Sequence, residues 1–230
     1  MTAIYFVTGT DTDAGKTLTV ASLIEGAKKR GRSALGYKVL ASGVEFLREG
    51  MLNRDVLSIM KHSSYPLKYA ECVAYQFDEA IAPHLAARET GVVIDTAEFD
   101  RGLDHLLEME PDYIFIEGAG GWMLPLSDST FLSDWVSARG FPVILTVGVR
   151  LGCLSHAVMT RMCVEQMGTT MAGYVINQII PGMNRFRECA DWLRNRFADI
   201  PLLGEIPFLE SRYTCDLSGY LNTDLLSSKS

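Results

Sequence analysis

The chain alternates short, continuous apolar runs with longer stretches in which apolar residues recur every three or four positions. Runs of the first kind fall at 4–7, 33–40, 113–116, 142–149, 171–179 and 201–208. Each has strand length, and apolar residues along both faces suit strands covered on both sides. Stretches of the second kind cover 18–29, 56–61, 80–88, 95–109, 130–139, 152–167 and 184–197. In 95–109, Phe99, Leu103, Leu106 and Leu107 share one helical face. In 184–197, Cys189, Leu193 and Phe197 are apolar and four arginines form a solvated face. Between 44 and 76 only the short helical pattern at 56–61 stands out. Beyond Glu210 no pattern is strong, and 227–230 are expected to fray. Strands alternating with helices, with no linker and no repeat, predict a single α/β domain over residues 1–230, its mainly parallel sheet flanked by helices.

Composition narrows the classes. Of 230 residues, 48% are apolar and 21% charged, which suits one domain with a sizeable core. A net charge of −7 argues against nucleic acid, whose phosphates call for clustered Lys and Arg. No apolar stretch approaches the roughly 20 residues of a membrane span. The first strand begins at once, leaving no room for a signal peptide. The five cysteines (Cys72, Cys153, Cys163, Cys189, Cys215) include no C-x-x-C pair and read as buried, reduced thiols. A cytoplasmic protein is expected. The four scattered histidines offer no zinc motif.

The candidate chemistry begins where the first strand ends. Gly9-Thr10-Asp11-Thr12-Asp13-Ala14-Gly15-Lys16-Thr17 stands between an apolar strand and a helical pattern, the setting of a phosphate-binding loop. Backbone N–H groups of such a loop and the helix N-terminus attract phosphate. Lys16 would reach the β- and γ-phosphates and the Thr17 hydroxyl would ligate Mg²⁺. Five residues rather than four separate Gly9 from Gly15. Either Thr10 takes the usual first-glycine position or the loop is one residue longer.

Three further residues attract attention. Lys38 lies in an otherwise apolar strand; either it points to water from an edge strand or it faces an anion. Asp55 precedes a helical pattern, where an acid can cap or serve the first turn, or do chemistry. Glu117 ends a strand just before Gly118-Ala119-Gly120-Gly121, at the carboxyl end where ligands of parallel sheets bind.

Taken together these stretches resemble one family, the dethiobiotin synthetases of biotin biosynthesis. The resemblance is carried by Gly-Thr-Asp-Thr-Asp-Ala-Gly-Lys-Thr (9–17), Gly-Tyr-Lys (36–38) with Ala-Ser-Gly (41–43), and Asn-Arg-Asp (53–55). It continues in Glu-Gly-Ala-Gly-Gly-Trp (117–122), Pro-Leu-Ser-Asp (125–128), Leu-Gly-Cys-Leu-Ser-His-Ala (151–157) and Gly-Glu-Ile-Pro (204–207). It implies a P-loop NTPase-like fold and a cyclo-ligase that joins 7,8-diaminononanoate and CO₂, drawn from bicarbonate, with ATP and Mg²⁺. The implied route runs through a carbamate and a carbamic–phosphoric anhydride. Thr17, Asp55 and Glu117 match the family's Mg²⁺ ligands, and Lys16 and Lys38 its catalytic lysines. Asp13, Ala14, Gly15, Lys16 and Thr17 match its phosphate-holding loop, and the loop of Gly118, Ala119, Gly120 and Gly121 matches one that borders nucleotide and substrate. Thr12 and Ser42 match substrate-contacting hydroxyls. Asn177 and Gln178, with Pro207, Phe208 and Leu209, fall where the family holds the base. Gly152, Cys153, Leu154 and Ser155 open a helix that, in a homodimer with shared active sites, would hold the substrate carboxylate.

The chain departs from the family at Leu40, where a proline is expected, and at Gln178, where Asp is frequent. Gln brings a donor that Asp lacks, which bears on adenine selectivity. A competing class, the partition and septum-site ATPases that switch partner proteins, typically carries a second lysine early in the loop. This loop has Lys16 alone.

Overall fold

A computed structural model describes residues 1–47, 50–210 and 216–226; the terminus expected to fray and Cys215 lie outside these described residues. In chain order the elements are β1 (Ala3–Gly9), α1 (Lys16–Lys29), β2 (Ala34–Ser42), β3 (Glu45–Leu47), β4 (Gly50–Leu52) and α2 (Arg54–His62). There follow β5 (Val73–Phe77), α3 (Pro83–Thr90), α4 (Thr96–Leu107), β6 (Tyr113–Glu117), α5 (Leu132–Arg139), β7 (Val143–Val149), α6 (Cys153–Gln166), β8 (Met171–Gln178), α7 (Phe186–Arg196) and β9 (Leu202–Ile206).

Seven strands form one sheet in the order β5-β2-β6-β1-β7-β8-β9, and every pairing in it is parallel. The continuous apolar runs are explained by this arrangement, because helices cover both faces. Along β7, Leu145, Val147 and Val149 pack with Leu193 and Phe197 of α7 and Ala157 of α6. The alternate residue Thr146 points the other way and donates a hydrogen bond to Thr19 of α1. The chain order reverses at β1, which lies between β6 and β7. A crevice opens at such a switch point, outside the carboxyl ends of the strands.

Several elements differ from the sequence expectation. The unpatterned stretch 44–76 holds the antiparallel hairpin β3–β4 and the edge strand β5. Four of the five β5 residues are half-buried, so its sequence, Val-Ala-Tyr-Gln-Phe, shows neither an apolar run nor clean alternation. Helix α3 begins at Pro83 rather than at 80, since a proline lacks the N–H that the first turn leaves unused. Lys38 is not an edge-strand residue facing water: β2 is flanked by β5 and β6, and Lys38 is 4% exposed.

The described cysteines are free thiols, but only Cys72 and Cys153 are buried; Cys163 and Cys189, on α6 and α7, are half-exposed. Burial, with the Glu71 carboxylate nearby, pushes the Cys72 thiol up to about 12. Thiolate is the reactive form. Between pH 7 and pH 9 a maleimide should therefore label Cys163 and Cys189 in the native protein while leaving Cys72 unmodified, as read by peptide mapping. Equal labelling of Cys72 in that range would contradict this burial.

Candidate active site

The connection from β1 to α1 is a loop held from behind. Thr10 N–H donates to the Thr146 carbonyl at 3.0 Å, and Asn177 Nδ2 donates to the Ala14 carbonyl at 2.8 Å. Two glycines permit this close seating. Gly15 has φ +97°, and a Cβ there would lie 2.0 Å from Asn177 Nδ2. A Cβ on Gly148 of β7 would lie 2.7 Å from Ala14 Cα. The loop thus rests against bare backbone, and α1 starts at Lys16 with Gly15 as its N-cap and no capping side chain.

In front of the loop is a cavity of about 440 Å³. Its floor carries Thr12, Asp13, Gly15, Lys16 and Thr17 from the loop and helix start, and Lys38 and Ser42 from β2. Asp55 of α2, Glu117 of β6, and Ala119 and Gly120 of the following loop complete it. Half of the candidate site residues singled out in the sequence are brought together here. Gly118 packs under the same loop, where a Cβ would strike the Phe6 ring.

The charges are tightly organised. Lys38 Nζ donates to Asp55 Oδ2 at 2.8 Å and to Glu117 Oε1 at 2.5 Å. Thr17 Oγ1 donates to the same Glu117 oxygen at 2.8 Å. Glu117 Oε2 is buried without a hydrogen-bond partner among the described residues. Burial alone would lower the Lys38 ammonium, but the Asp55 and Glu117 carboxylates outweigh it and hold Lys38 above its ordinary value. Burial would raise the Asp55 carboxyl; Lys38 overcomes this and lowers it. At Glu117, buried completely, burial wins over Lys38 and the carboxyl is raised. Lys38 is shared by the two carboxylates.

Lys16 Nζ donates to the carbonyls of Asp11 at 3.0 Å and Gly120 at 2.6 Å, linking the two loops. Burial, then the nearby Lys38 ammonium, push Lys16 down to about 8. Asp55 is not the cap of its helix. That role falls to Asn53, whose side chain accepts from the Asp55 and Val56 amides, and Asp55 sits in the first turn.

Other predicted residues lie apart from the cavity. Asn177 supports the loop from behind, and Gln178 Nε2 donates to the Ile180 carbonyl at 3.4 Å. Pro207 is exposed, with Phe208 and Leu209 half-buried, beyond the end of β9. At the start of α6, Gly152 is the N-cap with φ +91°, no side chain caps the helix, and Ser155 is exposed. The cavity also has walls that the sequence did not announce. They are Arg54 and Ser58 of α2, Ala80, Ile81 and Ala82 before α3 with Pro83 at its start, Leu18 and Ala21 of α1, and Leu40, Leu124 and Leu217. An apolar wall has no motif of its own. Only the proline that starts α3 was readable as a signal.

A parallel sheet whose central strand runs into Gly-Lys-Thr at its switch point defines a P-loop nucleoside triphosphatase fold. Solved structures agree. The septum site-determining protein MinD of Pyrococcus horikoshii, complexed with Mg-ADP, superposes with a TM-score of 0.57 at 18% identity, over 98% of this chain and 89% of its own. A ParA family ATPase from Chlorobium tepidum gives 0.54 at 13% identity, over 100% and 95%. At such identities the likeness is one of fold alone. Residues 4–212 match the family model described as an AAA domain. The sequence likeness is more particular. The ATP-dependent dethiobiotin synthetase BioD of Tolumonas auensis is 41% identical over 98% of this chain and 100% of its own length. BioD 1 of Escherichia coli K12 is 42% identical over the same shares, and BioD 1 of Salmonella typhi 44% over 91% of each chain. The chain belongs to the dethiobiotin synthetase family.

The seating of the loop on bare backbone yields a direct test. Gly148→Ala should push Ala14 away from β7, at a cost of about 1–3 kcal/mol for overpacking. ATP affinity, measured by calorimetry, should fall roughly 5- to 100-fold while the protein stays folded. Unchanged affinity would show that the loop does not depend on this contact.

Proposed function

We propose that this cavity closes the cyclic urea of dethiobiotin from 7,8-diaminononanoate and CO₂, using ATP and Mg²⁺. ATP-dependent dethiobiotin formation, by a ligase that makes C–N bonds, is the family's activity and the coarser part of the statement. The finer part is carried by one observation. Two buried lysines from different elements, Lys16 of α1 and Lys38 of β2, converge with the two carboxylates of Asp55 and Glu117.

A carbamate and a triphosphate repel each other, so bringing them together requires fixed positive charge. In this reading one amine of the substrate takes up CO₂ and loses a proton to give a carbamate. A carbamate oxygen attacks the γ-phosphorus, ADP leaves, and the second amine attacks the carbonyl carbon of the anhydride and expels phosphate. Lys16 exchanges its two carbonyl partners for phosphate oxygens, with N–H groups of Asp13, Ala14, Gly15, Lys16 and Thr17 around them. Lys38 lies against the group in transfer, where negative charge develops. Thr12 and Ser42 orient the diamine end, and Gly118, Ala119 and Gly120 border it. Asn177, Gln178, Pro207, Phe208 and Leu209 are assigned to the base side.

The residues present fit Mg²⁺. Thr17, Asp55 and Glu117 offer hard oxygens, and Glu117 Oε2, in complete burial, lacks a partner among the described residues. Among the described residues no group of three or more His, Cys, Asp or Glu could hold a metal ion. Mg²⁺ needs no such cage, since it combines one or two carboxylates with substrate phosphates. Around the cavity the side chains of Lys16, Lys38 and Arg54 face those of Asp13, Asp55 and Glu117, so the lining has no excess positive charge to balance the triphosphate. Mg²⁺, when bound, supplies that balance and polarises the phosphoryl oxygens.

We also place the chain in the cytoplasm as a homodimer. Among the described residues no helix is long and apolar enough to cross a membrane. Leu151 is 99% exposed beside the start of α6, with Met159 and Met162 of that helix 51% and 59% exposed. A second copy of the chain would cover them. The uncapped start of α6 (Gly152, Cys153, Leu154, Ser155) would then meet the substrate carboxylate of the partner's site.

ATP should be consumed appreciably only with both diaminononanoate and bicarbonate present, and dethiobiotin should accumulate in step with ADP. Brisk turnover without the diamine would refute the reaction. Sharing of sites is tested by mixing inactive Lys16→Ala with inactive Ser155→Glu under conditions of subunit exchange. A mixed dimer with shared sites has one doubly damaged and one intact site, so activity should return. Continued inactivity after verified exchange would confine each site to one chain.

A further inference from the structure

The Asn53 side chain is buried between the end of β2 and the start of α2, and every hydrogen-bonding position of its amide is used. Oδ1 accepts from the Asp55 amide at 2.9 Å and the Val56 amide at 3.4 Å. Nδ2 donates to the Gly43 carbonyl at 2.6 Å and the Ser42 carbonyl at 3.4 Å. Turning the amide over would set an oxygen against two carbonyls and a donor against two N–H groups, so its orientation is fixed. A helix cap needs only the acceptor, which Ser, Thr or Asp supplies equally well. The donor half is in excess of that need. It ties α2 to the strand that carries Lys38 and Ser42.

The surroundings hold Asn53 in turn. Its backbone N–H donates to the Tyr69 hydroxyl at 2.7 Å, and Tyr69 donates to Gln76 of β5, whose Nε2 reaches the Met51 carbonyl. Gly43 N–H, just past β2, donates to the Phe77 carbonyl at 3.0 Å and to that of Glu79 at 3.1 Å. Edge strand, strand end and helix start thus meet at one amide.

We propose that Asn53 is a positioning residue for the reaction, fixing the Asp55 carboxylate on α2 relative to the Ser42 hydroxyl on β2. The inference rests on the roles given above to Asp55 and Ser42. Those two groups serve different parts of the chemistry, the metal–phosphate side and the diamine side, and lie on different elements. Their spacing sets how the carbamate oxygen approaches the phosphorus. Asn is the residue that can do this: Asp has no donor, Ser and Thr cannot both cap and donate to two carbonyls, and Gln is one methylene longer.

Asn53→Ser and Asn53→Asp each keep a capping oxygen and lose the tie, so they separate positioning from helix capping. Asn53→Ser should unfold somewhat below the wild-type temperature and Asn53→Asp lower still, because its second oxygen faces two carbonyls; both should stay folded at the assay temperature and bind MgATP nearly as the wild type does. Their kcat for dethiobiotin formation should fall about 10- to 100-fold, the usual effect of a misplaced reacting group. Ser42→Ala should cost less in the Asn53→Ser protein than alone, because Asn53 acts through that end of β2. Hydrogen exchange reads the tie without turnover: the Gly43 and Val44 amides should exchange faster in both variants while Val39 is unchanged. Wild-type kcat in both variants, additive effects with Ser42→Ala, or unchanged exchange at Gly43 would each overturn the proposal. Should one variant fail to fold, the other carries every measurement. A wild-type chain that makes no dethiobiotin refutes the assigned reaction instead, and the exchange experiment still decides whether Asn53 holds the two elements together.

Discussion

A buried ammonium must be paired, and the pairing of Lys38 organises this end of the molecule. An isolated charge at such depth costs several kcal/mol, and removing one partner of a buried pair costs about 3–5 kcal/mol. Lys38 meets that demand with one carboxylate from the adjacent strand, Glu117, and one from α2, Asp55. The second partner is what requires α2 to start where it does. The Asn53 cap, the Tyr69 and Gln76 contacts and the seating of β5 all follow from that placement. Thr17 joins through the shared Glu117 oxygen, so the phosphate loop and the lysine strand are coupled through one carboxylate. Under the proposed reaction, the four side chains that satisfy this buried charge are also those assigned to the chemistry.

The other support is steric. In front of the loop a cavity is open to a ligand, whereas behind it a Cβ on Gly15 or Gly148 would strike Asn177 or Ala14. Firm backing with an open front suits phosphoryl transfer, where positioning and fixed charge do most of the catalysis. The β7–β8–α7 side owes its firmness to side chains such as Leu193, Phe197 and Tyr174, each buried almost completely. Burial of each such side chain contributes about 1.5–3 kcal/mol.

The parts of this architecture legible in the sequence were those with a strong local cause. Central strands are covered on both faces, so 142–149 had to be continuously apolar. The loop before α1 had to carry Gly-Lys-Thr, and Glu117 had to precede small residues. Strand β5 escaped notice because an edge strand needs neither pattern. Lys38 was visible as an anomaly, but only the sheet order shows that it is enclosed rather than solvated. Asn53 was legible as part of a motif and not as a tie, since its donors reach carbonyls about ten residues earlier in the chain. Ile81, Leu124 and Leu217 come to one cavity from three distant segments. No local pattern encodes such a meeting.

The order of strands also bears on how the molecule is made. Ala3 of β1 pairs with Tyr113 of β6, and Phe6 pairs with Val143 of β7. Within this sheet β1 is therefore made before both of its neighbours, β6 and β7, although it lies between them. Until β7 emerges, Thr10 has no Thr146 carbonyl to bind and Ala14 has no Gly148 to rest on. Loop closure over such separations is slow, and an unpaired central strand exposes both apolar faces and both edges in the meantime. The loop between β1 and α1 is thus complete in sequence long before the strand that seats it is made.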